Sequence, residues 1–126
     1  MSAPPVVLVV EDNAELRHVL KEALVSEGYE VLAARDEAEA RELLREQRVD
    51  LMISDLTDPP QASRSLEDLR QEFPNLPVVA MSGGIGEHPS LFFGAWQAPK
   101  GYRTLQKPFR LGELLAVSRE VLGAIG

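Results

Sequence analysis

The chain has 126 residues, of which 44% are hydrophobic and 26% charged, and its formal net charge at pH 7 is −7. This size and composition are typical of one globular domain with a single hydrophobic core. The negative charge argues against direct nucleic-acid binding, because phosphate backbones are held by clustered Lys and Arg. No cysteine is present for a disulfide or a thiolate metal site, and no apolar run reaches the roughly 20 residues of a membrane span. We therefore expect a cytoplasmic protein that binds neither DNA nor membrane.

The first part of the chain has the pattern of a strand followed by a helix. The β-branched run over residues 5–10 is typical of a central strand in a parallel sheet. Apolar residues then recur every three or four positions, which predicts an amphipathic helix between an N-cap at Asn13 and a C-cap at Gly28. The predicted inner face of that helix consists of Leu16, Val19, Leu20, Ala23 and Leu24.

The same alternation continues to the end of the chain. A short strand over residues 29–34 precedes a helix capped by Asp36, a third strand ends at Asp55, and a fourth covers residues 76–82. A third helix is predicted to end before Pro74, and residues 104–106 form the centre of a fifth strand. A final helix carries an apolar stripe that begins at Leu111. Five strands alternating with helices predict a parallel, doubly wound α/β sheet.

The carboxyl ends of the predicted strands carry the polar residues of a candidate site. Ligands of doubly wound sheets bind outside these ends. The first strand ends in Glu11 and Asp12, the third in Asp55, the fourth in Ser82, and Lys107 follows the fifth. Each of these residues alone would be interpreted as a helix-terminal acid, a turn residue or a solvated charge. Their coincidence at one edge of the sheet indicates a single site.

The residue types in this site favour phosphoryl chemistry with a hard cation. Clustered carboxylates without cysteine suit an oxygen-loving ion such as Mg²⁺, and without a cation they would repel one another. A lysine and a hydroxyl next to a metal suit the equatorial oxygens of a transferring phosphoryl group. A carboxylate can itself be the nucleophile and become an aspartyl phosphate. The site is thus predicted to accept phosphate onto an acid.

Four motifs occur in order along this alternation: VVLVVEDN, VDLMISDL, VVAMSGG and LQKPF. With these motifs, the sequence from about residue 5 to residue 123 resembles the receiver domain of bacterial two-component response regulators. The resemblance implies a flavodoxin-like (βα)5 three-layer sandwich whose parallel sheet has the strand order 2-1-3-4-5. It also implies a single receiver domain over residues 1–126, with no output domain in this chain.

The resemblance also assigns roles to the site residues. Asp55 would be the phosphoacceptor of a two-component or phosphorelay system. The Mg²⁺ ligands would be Asp12, Asp55 and the backbone carbonyl of Thr57, with Glu11 assisting through water. The phosphoryl oxygens would be bound by Ser82 and Lys107. The donor would be a histidine kinase or histidine phosphotransfer protein, and the domain would be a regulatory phosphoacceptor rather than an enzyme.

Two of the departures from the usual family pattern concern the region that responds to phosphorylation. Thr104 stands three residues before the lysine, where the family commonly has a Tyr or Phe that moves inward on phosphorylation, and the offset of Tyr102 suggests the preceding loop. The stretch between Ser82 and Lys107 is longer than usual and includes a short predicted fourth helix. Three aromatic residues fall there: Phe92, Phe93 and Trp96. Adjacent aromatics on a short helix cannot easily all point inward, so we expect one to remain exposed at a docking or homodimer surface beside the fifth strand.

Other functions remain open at this point. A receiver-shaped module could signal by protein interaction without phosphate, although the complete set of site residues argues against it. A flavodoxin-like cofactor binder needs a phosphate loop after the first strand, where Glu11 and Asp12 would repel the anion. A phosphatase with an aspartate nucleophile would need a second acid two residues after Asp55. Thr57 occupies that position, which argues against this function. The sequence does not identify the kinase or the downstream protein, nor whether the domain acts alone or within a larger protein.

Overall fold

The fold is built around a five-stranded parallel sheet, which we describe from a computed structural model that covers residues 3–56, 68–82, 102–106 and 110–125. The strands are β1 (Val6–Val10), β2 (Glu30–Ala34), β3 (Leu51–Leu56), β4 (Val78–Ser82) and β5 (Tyr102–Gln106). Their order across the sheet is β2-β1-β3-β4-β5, and each neighbouring pair is parallel. The predicted sheet and its strand order are confirmed.

Helices cover both faces of this sheet. Helix α1 (Ala14–Ser26) and the final helix (Leu111–Ile125) pack on one face. Helix α2 (Glu37–Glu46) and the helical residues 68–72 pack on the other. The predicted third helix thus ends before Pro74, as expected. None of the helices within the described ranges is long and apolar enough to cross a membrane.

The apolar strands contribute to two separate hydrophobic cores, because side chains alternate between the faces of a sheet. In β1 all five residues are buried. Val7 and Val9 belong to the core under α1 and the final helix, whereas Leu8 and Val10 belong to the core under α2. The absence of polar residues from residues 6–10 therefore follows from the position of this strand between two cores.

Side-chain caps define the first turns of the helices. The Asn13 Oδ1 atom accepts from the Leu16 N–H at 2.9 Å, and Asp36 Oδ1 accepts from the Glu39 N–H at 2.9 Å, so both predicted N-caps are confirmed. The final helix begins after Arg110, which has no side-chain acceptor. There the capping contact is reversed, since the Glu113 carboxylate accepts from the backbone N–H of Arg110 at 3.3 Å.

Two inner-face predictions are wrong. Val19 is 44% exposed, and Leu111 is 39% exposed. Leu20 and Leu24 are fully buried, and one residue along a helix is a rotation of about 100°, so Val19 lies on the flank of the inward stripe. Leu111 is the first residue of the final helix, and the first of its residues to be fully buried is Leu114.

An ionic network joins α2 to the helical residues 68–72. Glu72 accepts from Arg41 at 2.6 Å and from Arg45 at 2.7 Å, and Arg41 also contacts Glu37 at 2.8 Å. The hydrogen bond from Arg45 lowers the pKa of the Glu72 carboxyl below its ordinary value. The network attaches the segment that precedes β4 to the outer side of α2.

Gly28 ends α1 in a left-handed conformation, with φ at 94°. Its N–H donates to the Val25 carbonyl at 2.9 Å, and the Tyr29 N–H donates to the Leu24 carbonyl at 3.3 Å. These two bonds form a Schellman motif, in which the residue with positive φ is usually glycine. The prediction that Gly28 terminates the helix is confirmed, although the C-cap itself is Glu27 and Gly28 is the residue after it.

Gly28→Ala is expected to destabilise the protein by about 1 kcal/mol, because a Cβ is disfavoured at positive φ. A Cβ at Gly28 would have no atom within 4 Å, so steric contact does not add to this cost. Gly112 provides the matched control, since it has the same open surroundings but lies in the final helix. There, alanine should stabilise by about 0.5 kcal/mol. Urea denaturation of both variants measures the difference, and equal effects would contradict the argument from φ.

Candidate functional site

The backbone register places Asp55 next to the end of β1. Val10, the last residue of β1, pairs with Ser54 of β3. Asp55 is therefore one position beyond the end of β1, level with Glu11 as the chain leaves the sheet. On its other side Asp55 pairs with Met81 of β4. The predicted phosphoacceptor thus lies on the central strand, with strands on both sides.

The ends of the remaining strands lie at the same edge. Leu56, the last residue of β3, pairs with Ser82, and Ser82 pairs with Gln106 at the end of β5. Lys107 follows Gln106 directly in the sequence. Lys107 and Thr57 fall outside the described residues, as do the side chains of Asp55 and Ser82. The backbone therefore brings the strand ends that carry Asp55 and Ser82 to the same edge as the end of β1, and the roles of the side chains stay predictions.

The turn between β1 and α1 holds two acids in different environments. Glu11 is 2% exposed, and its carboxylate accepts from the Asn13 N–H at 3.1 Å. Asp12 is exposed. A buried carboxylate has to be hydrogen-bonded to be tolerated, whereas an exposed one keeps its oxygens available to a ligand from solvent. The two neighbouring acids therefore differ in exposure and hydrogen bonding, and their roles at a cation stay predictions.

The donor set fits a hard cation. Carboxylate oxygens and a backbone carbonyl are the ligands that Mg²⁺ takes in proteins, usually together with several waters. Within the ranges that the structure describes, no three acids or histidines are grouped closely enough to hold a metal ion. The carboxylate of Asp55 is not among the side chains described. Glu11 and Asp12 would supply one part of the predicted ligand set, and Asp55 and Thr57 would have to supply the other.

The predicted switch residues fall mostly outside the described ranges. Phe92, Phe93 and Trp96 are not described. Thr104 lies in β5, where its backbone pairs with Ala80. Tyr102 is the first residue of β5 and pairs with Val78, so the expectation that it precedes the strand is wrong.

One residue near the site was not anticipated from the sequence. Arg17, half-buried in α1, donates from Nη1 to the backbone carbonyl of Glu11 at 2.9 Å. A basic residue near the start of a helix normally suggests a solvated charge. In the sequence, only its position five residues after Asp12 could have pointed to a contact with the acidic pair.

Comparison with known proteins identifies the family. Residues 7–119 match the response regulator receiver domain. The chain belongs to this family. A receiver domain is a regulatory phosphoacceptor module of two-component signalling, and the predicted family and fold are confirmed. This receiver domain therefore carries its Glu11–Asp12 pair and Asp55 on a fold that serves phosphorylation-controlled signalling.

Curated relatives and solved structures agree with this assignment. The receiver domain is 39% identical over 111 residues to the virulence transcriptional regulatory protein PhoP of Salmonella typhimurium, covering 87% of this chain and 48% of PhoP. It is 31% identical over 118 residues to the aerobic respiration control protein ArcA of Escherichia coli, covering 94% of this chain and 48% of ArcA. It thus spans about half the length of these relatives. The crystal structure of a response regulator from Thermotoga maritima superposes with a TM-score of 0.81 at 28% identity, covering 95% of this chain and 98% of that one.

Proposed function

We propose that this receiver domain accepts a phosphoryl group on Asp55 from a histidine kinase or histidine phosphotransfer protein, and that phosphorylation switches a protein-interaction surface. The observation that carries the proposal is the strand register, in which Ser54, the residue before Asp55, pairs with Val10, the residue before Glu11. Membership of the receiver family supports the reaction class. The proposal goes beyond family membership, because it assigns the phosphoacceptor to a particular residue, Asp55.

The position of Asp55 on β3 suits a nucleophile better than the position of Asp12. β3 is paired on both sides, and its residues Leu51 and Ile53 are fully buried, so the backbone below Asp55 is rigid. In-line attack on phosphorus requires this kind of fixed placement. Asp12 lies in an exposed turn, where it can hold a hydrated cation.

In the proposed reaction a carboxylate oxygen of Asp55 attacks the phosphorus, and the bond from phosphorus to the imidazole nitrogen of the donor breaks. That nitrogen keeps the electron pair, and the donor histidine is released. The cation would be held by Asp12, Asp55 and the carbonyl of Thr57, with Glu11 acting through water. Mg²⁺, when bound, supplies positive charge to the phosphoryl oxygens. Two side chains would bind the remaining phosphoryl oxygens: Ser82 and Lys107.

A small phosphodonor tests the function without knowledge of the kinase. The purified domain is incubated with acetyl phosphate and Mg²⁺, and its intact mass is measured. We expect the uptake of one phosphoryl group, removable by hydroxylamine as for an acyl phosphate and dependent on Mg²⁺. Peptide mapping should locate it at Asp55. Absence of uptake, also with a phosphorylated histidine phosphotransfer protein as donor, would favour a module that signals by interaction without phosphate.

We propose that the signal leaves the site through residues 83–100 rather than through β5. Thr104 has no large ring to move between exposed and buried positions, so the usual aromatic response is missing. The sequence of residues 83–100 has three glycines among its first four residues, a residue type that adopts more backbone conformations than any other, and continues into the aromatic group Phe92, Phe93 and Trp96. This group is the proposed docking surface for a downstream protein or a second copy of the chain.

Amide hydrogen exchange can follow this route. Phosphorylation is expected to change exchange more in residues 83–100 than in β5 around Thr104, because a rearranged backbone alters the protection of its own amides. Mass spectrometry of peptides from the phosphorylated and unphosphorylated domain provides the measurement. A change confined to residues 104–106, with residues 83–100 unaltered, would contradict the proposed route.

A further inference from the structure

We infer that Arg17 is a positioning residue for the cation site: from α1 it fixes the backbone of Glu11 and thereby the place at which Asp12 presents its carboxylate. The inference rests on the proposed function, since it assumes that Asp12 holds Mg²⁺. Arg17 would not itself touch the cation or the phosphoryl group.

The contact lies where the hydrogen-bonded ladder between β1 and β2 ends. The Glu11 N–H still donates to the Ala34 carbonyl of β2 at 3.0 Å. Ala34 is the last residue of β2, and two residues later Asp36 is the N-cap of α2. At this point the Arg17 guanidinium donates to the Glu11 carbonyl at 2.9 Å. Long side chains on a helix point back toward its N-terminus, which is how a residue of α1 reaches the strand end.

The turn that follows is fixed by further bonds on either side of Asp12. The Asn13 N–H donates to Glu11 Oε2 at 3.1 Å, and Asn13 Oδ1 accepts from the Leu16 N–H at 2.9 Å. The residue before Asp12 is therefore held by β2 and Arg17, and the residue after it by α1. Asp12 itself is exposed. Such a turn presents a carboxylate to solvent from a backbone that has little freedom to move.

Small displacements matter at this position. Mg²⁺ requires near-octahedral geometry with ligand distances of about 2.0–2.1 Å, and a site that is loose by roughly 0.5 Å loses affinity. An arginine that restrains the backbone should thus strengthen cation binding, although its positive charge alone would weaken it. The two effects have opposite signs. Replacing Arg17 should therefore weaken Mg²⁺ binding if positioning dominates and strengthen it if charge dominates.

Three variants of the full chain separate position from charge. Arg17→Met removes the charge and the hydrogen bond but keeps the length and helix propensity of the side chain. Arg17→Lys keeps the charge and can donate a single bond to the carbonyl, without the fixed fork of the guanidinium. Lys21→Met removes the same charge one turn further along α1, from an exposed position.

Titration with Mg²⁺, followed through the NMR shifts of the backbone amides of residues 11–13, gives the dissociation constant of each variant. We expect Arg17→Met to bind about 10-fold more weakly than wild type, as for the loss of an outer-shell partner. Arg17→Lys should lose less affinity, and Lys21→Met should bind like wild type. Without Mg²⁺, the amides of Asn13 and Leu16 should exchange faster in Arg17→Met than in Lys21→Met.

The possible failures are distinct. If wild type binds Mg²⁺ and Arg17→Met binds it equally well or more tightly, the positioning role is overturned and the proposed function stands. Equal weakening in Arg17→Met and Lys21→Met would also overturn it, since the loss would then not be specific to the residue that donates to the Glu11 carbonyl. If wild type shows no Mg²⁺ binding, the cation site of the proposed function is wrong, and the role of Arg17 falls with it.

Discussion

Asp55→Asn is expected to abolish phosphoryl uptake and to leave the fold intact. The amide is nearly isosteric with the carboxylate but is not a nucleophile, so acyl phosphate formation stops at this residue. Stability should remain close to that of wild type or rise slightly, because one member of a group of like charges is neutralised. Intact mass after incubation with acetyl phosphate and Mg²⁺, combined with circular dichroism of the variant, measures both expectations.

Asp50→Asn is the matched control for this change. Asp50 directly precedes β3 at the opposite edge of the sheet, where its Oδ2 atom accepts from the Val6 N–H at 2.8 Å. An amide oxygen can accept the same bond, so Asp50→Asn should fold and take up phosphate as wild type does. Continued uptake by Asp55→Asn would move the acceptor to another acid, with Asp58 the first to be tested.

Mg²⁺ is expected to raise the melting temperature of wild type, and Asp12→Ala is expected to remove this effect. A ligand that binds only the native state stabilises it by linkage, by about 1.4 kcal/mol at ten times its dissociation constant. Without metal, Asp12→Ala should be neutral or stabilising, since it relieves repulsion between neighbouring carboxylates. Thermal melts with and without Mg²⁺ at constant ionic strength provide the measurement.

Glu15→Ala serves as the control for the loss of an acid near the same turn. Glu15 is exposed in the first turn of α1, three residues beyond Asp12. It has no role in the proposed ligand set, so Mg²⁺ should stabilise this variant as much as wild type. Protection of wild type and Asp12→Ala to the same extent would show that Asp12 is not a ligand of the cation.

The sheet and the edge that carries the site could be predicted because both depend on strong, local patterns. A run such as residues 6–10, without a polar side chain, has few alternatives to a buried strand. In parallel sheets the carboxyl ends of the strands lie together, so the positions of Asp12, Asp55 and Ser82 could be inferred without knowing the packing. The observed register agrees with that inference at the level of the backbone.

The features that could not be predicted depend on how elements pack against one another. The apolar spacing of α1 did not show that Val19 would fall on the flank, because the width of the buried stripe depends on the neighbouring helix. Tyr102 belongs to β5, a short strand at the edge of the sheet. The residue at which β5 begins is defined only by its pairing with β4. The hydrogen bond from Arg17 to the Glu11 carbonyl depends on the rotamer that the arginine side chain adopts. The spacing of residues in a sequence does not determine that rotamer.

The two cores on either side of β1 limit where this domain can vary in sequence. All five residues of β1 are buried, and the four from Val7 to Val10 belong to one core or the other, so a polar substitution there would bury an unpaired group. The outer faces of α1 and α2 carry no such constraint, and exposed residues such as Val19, Lys21 and Glu42 can change at little cost in stability. Mutational tolerance should therefore be low along the strands that support the acids and high on the helix surfaces. Residues on those helix surfaces can then be exchanged while the frame of the proposed phosphorylation site is kept.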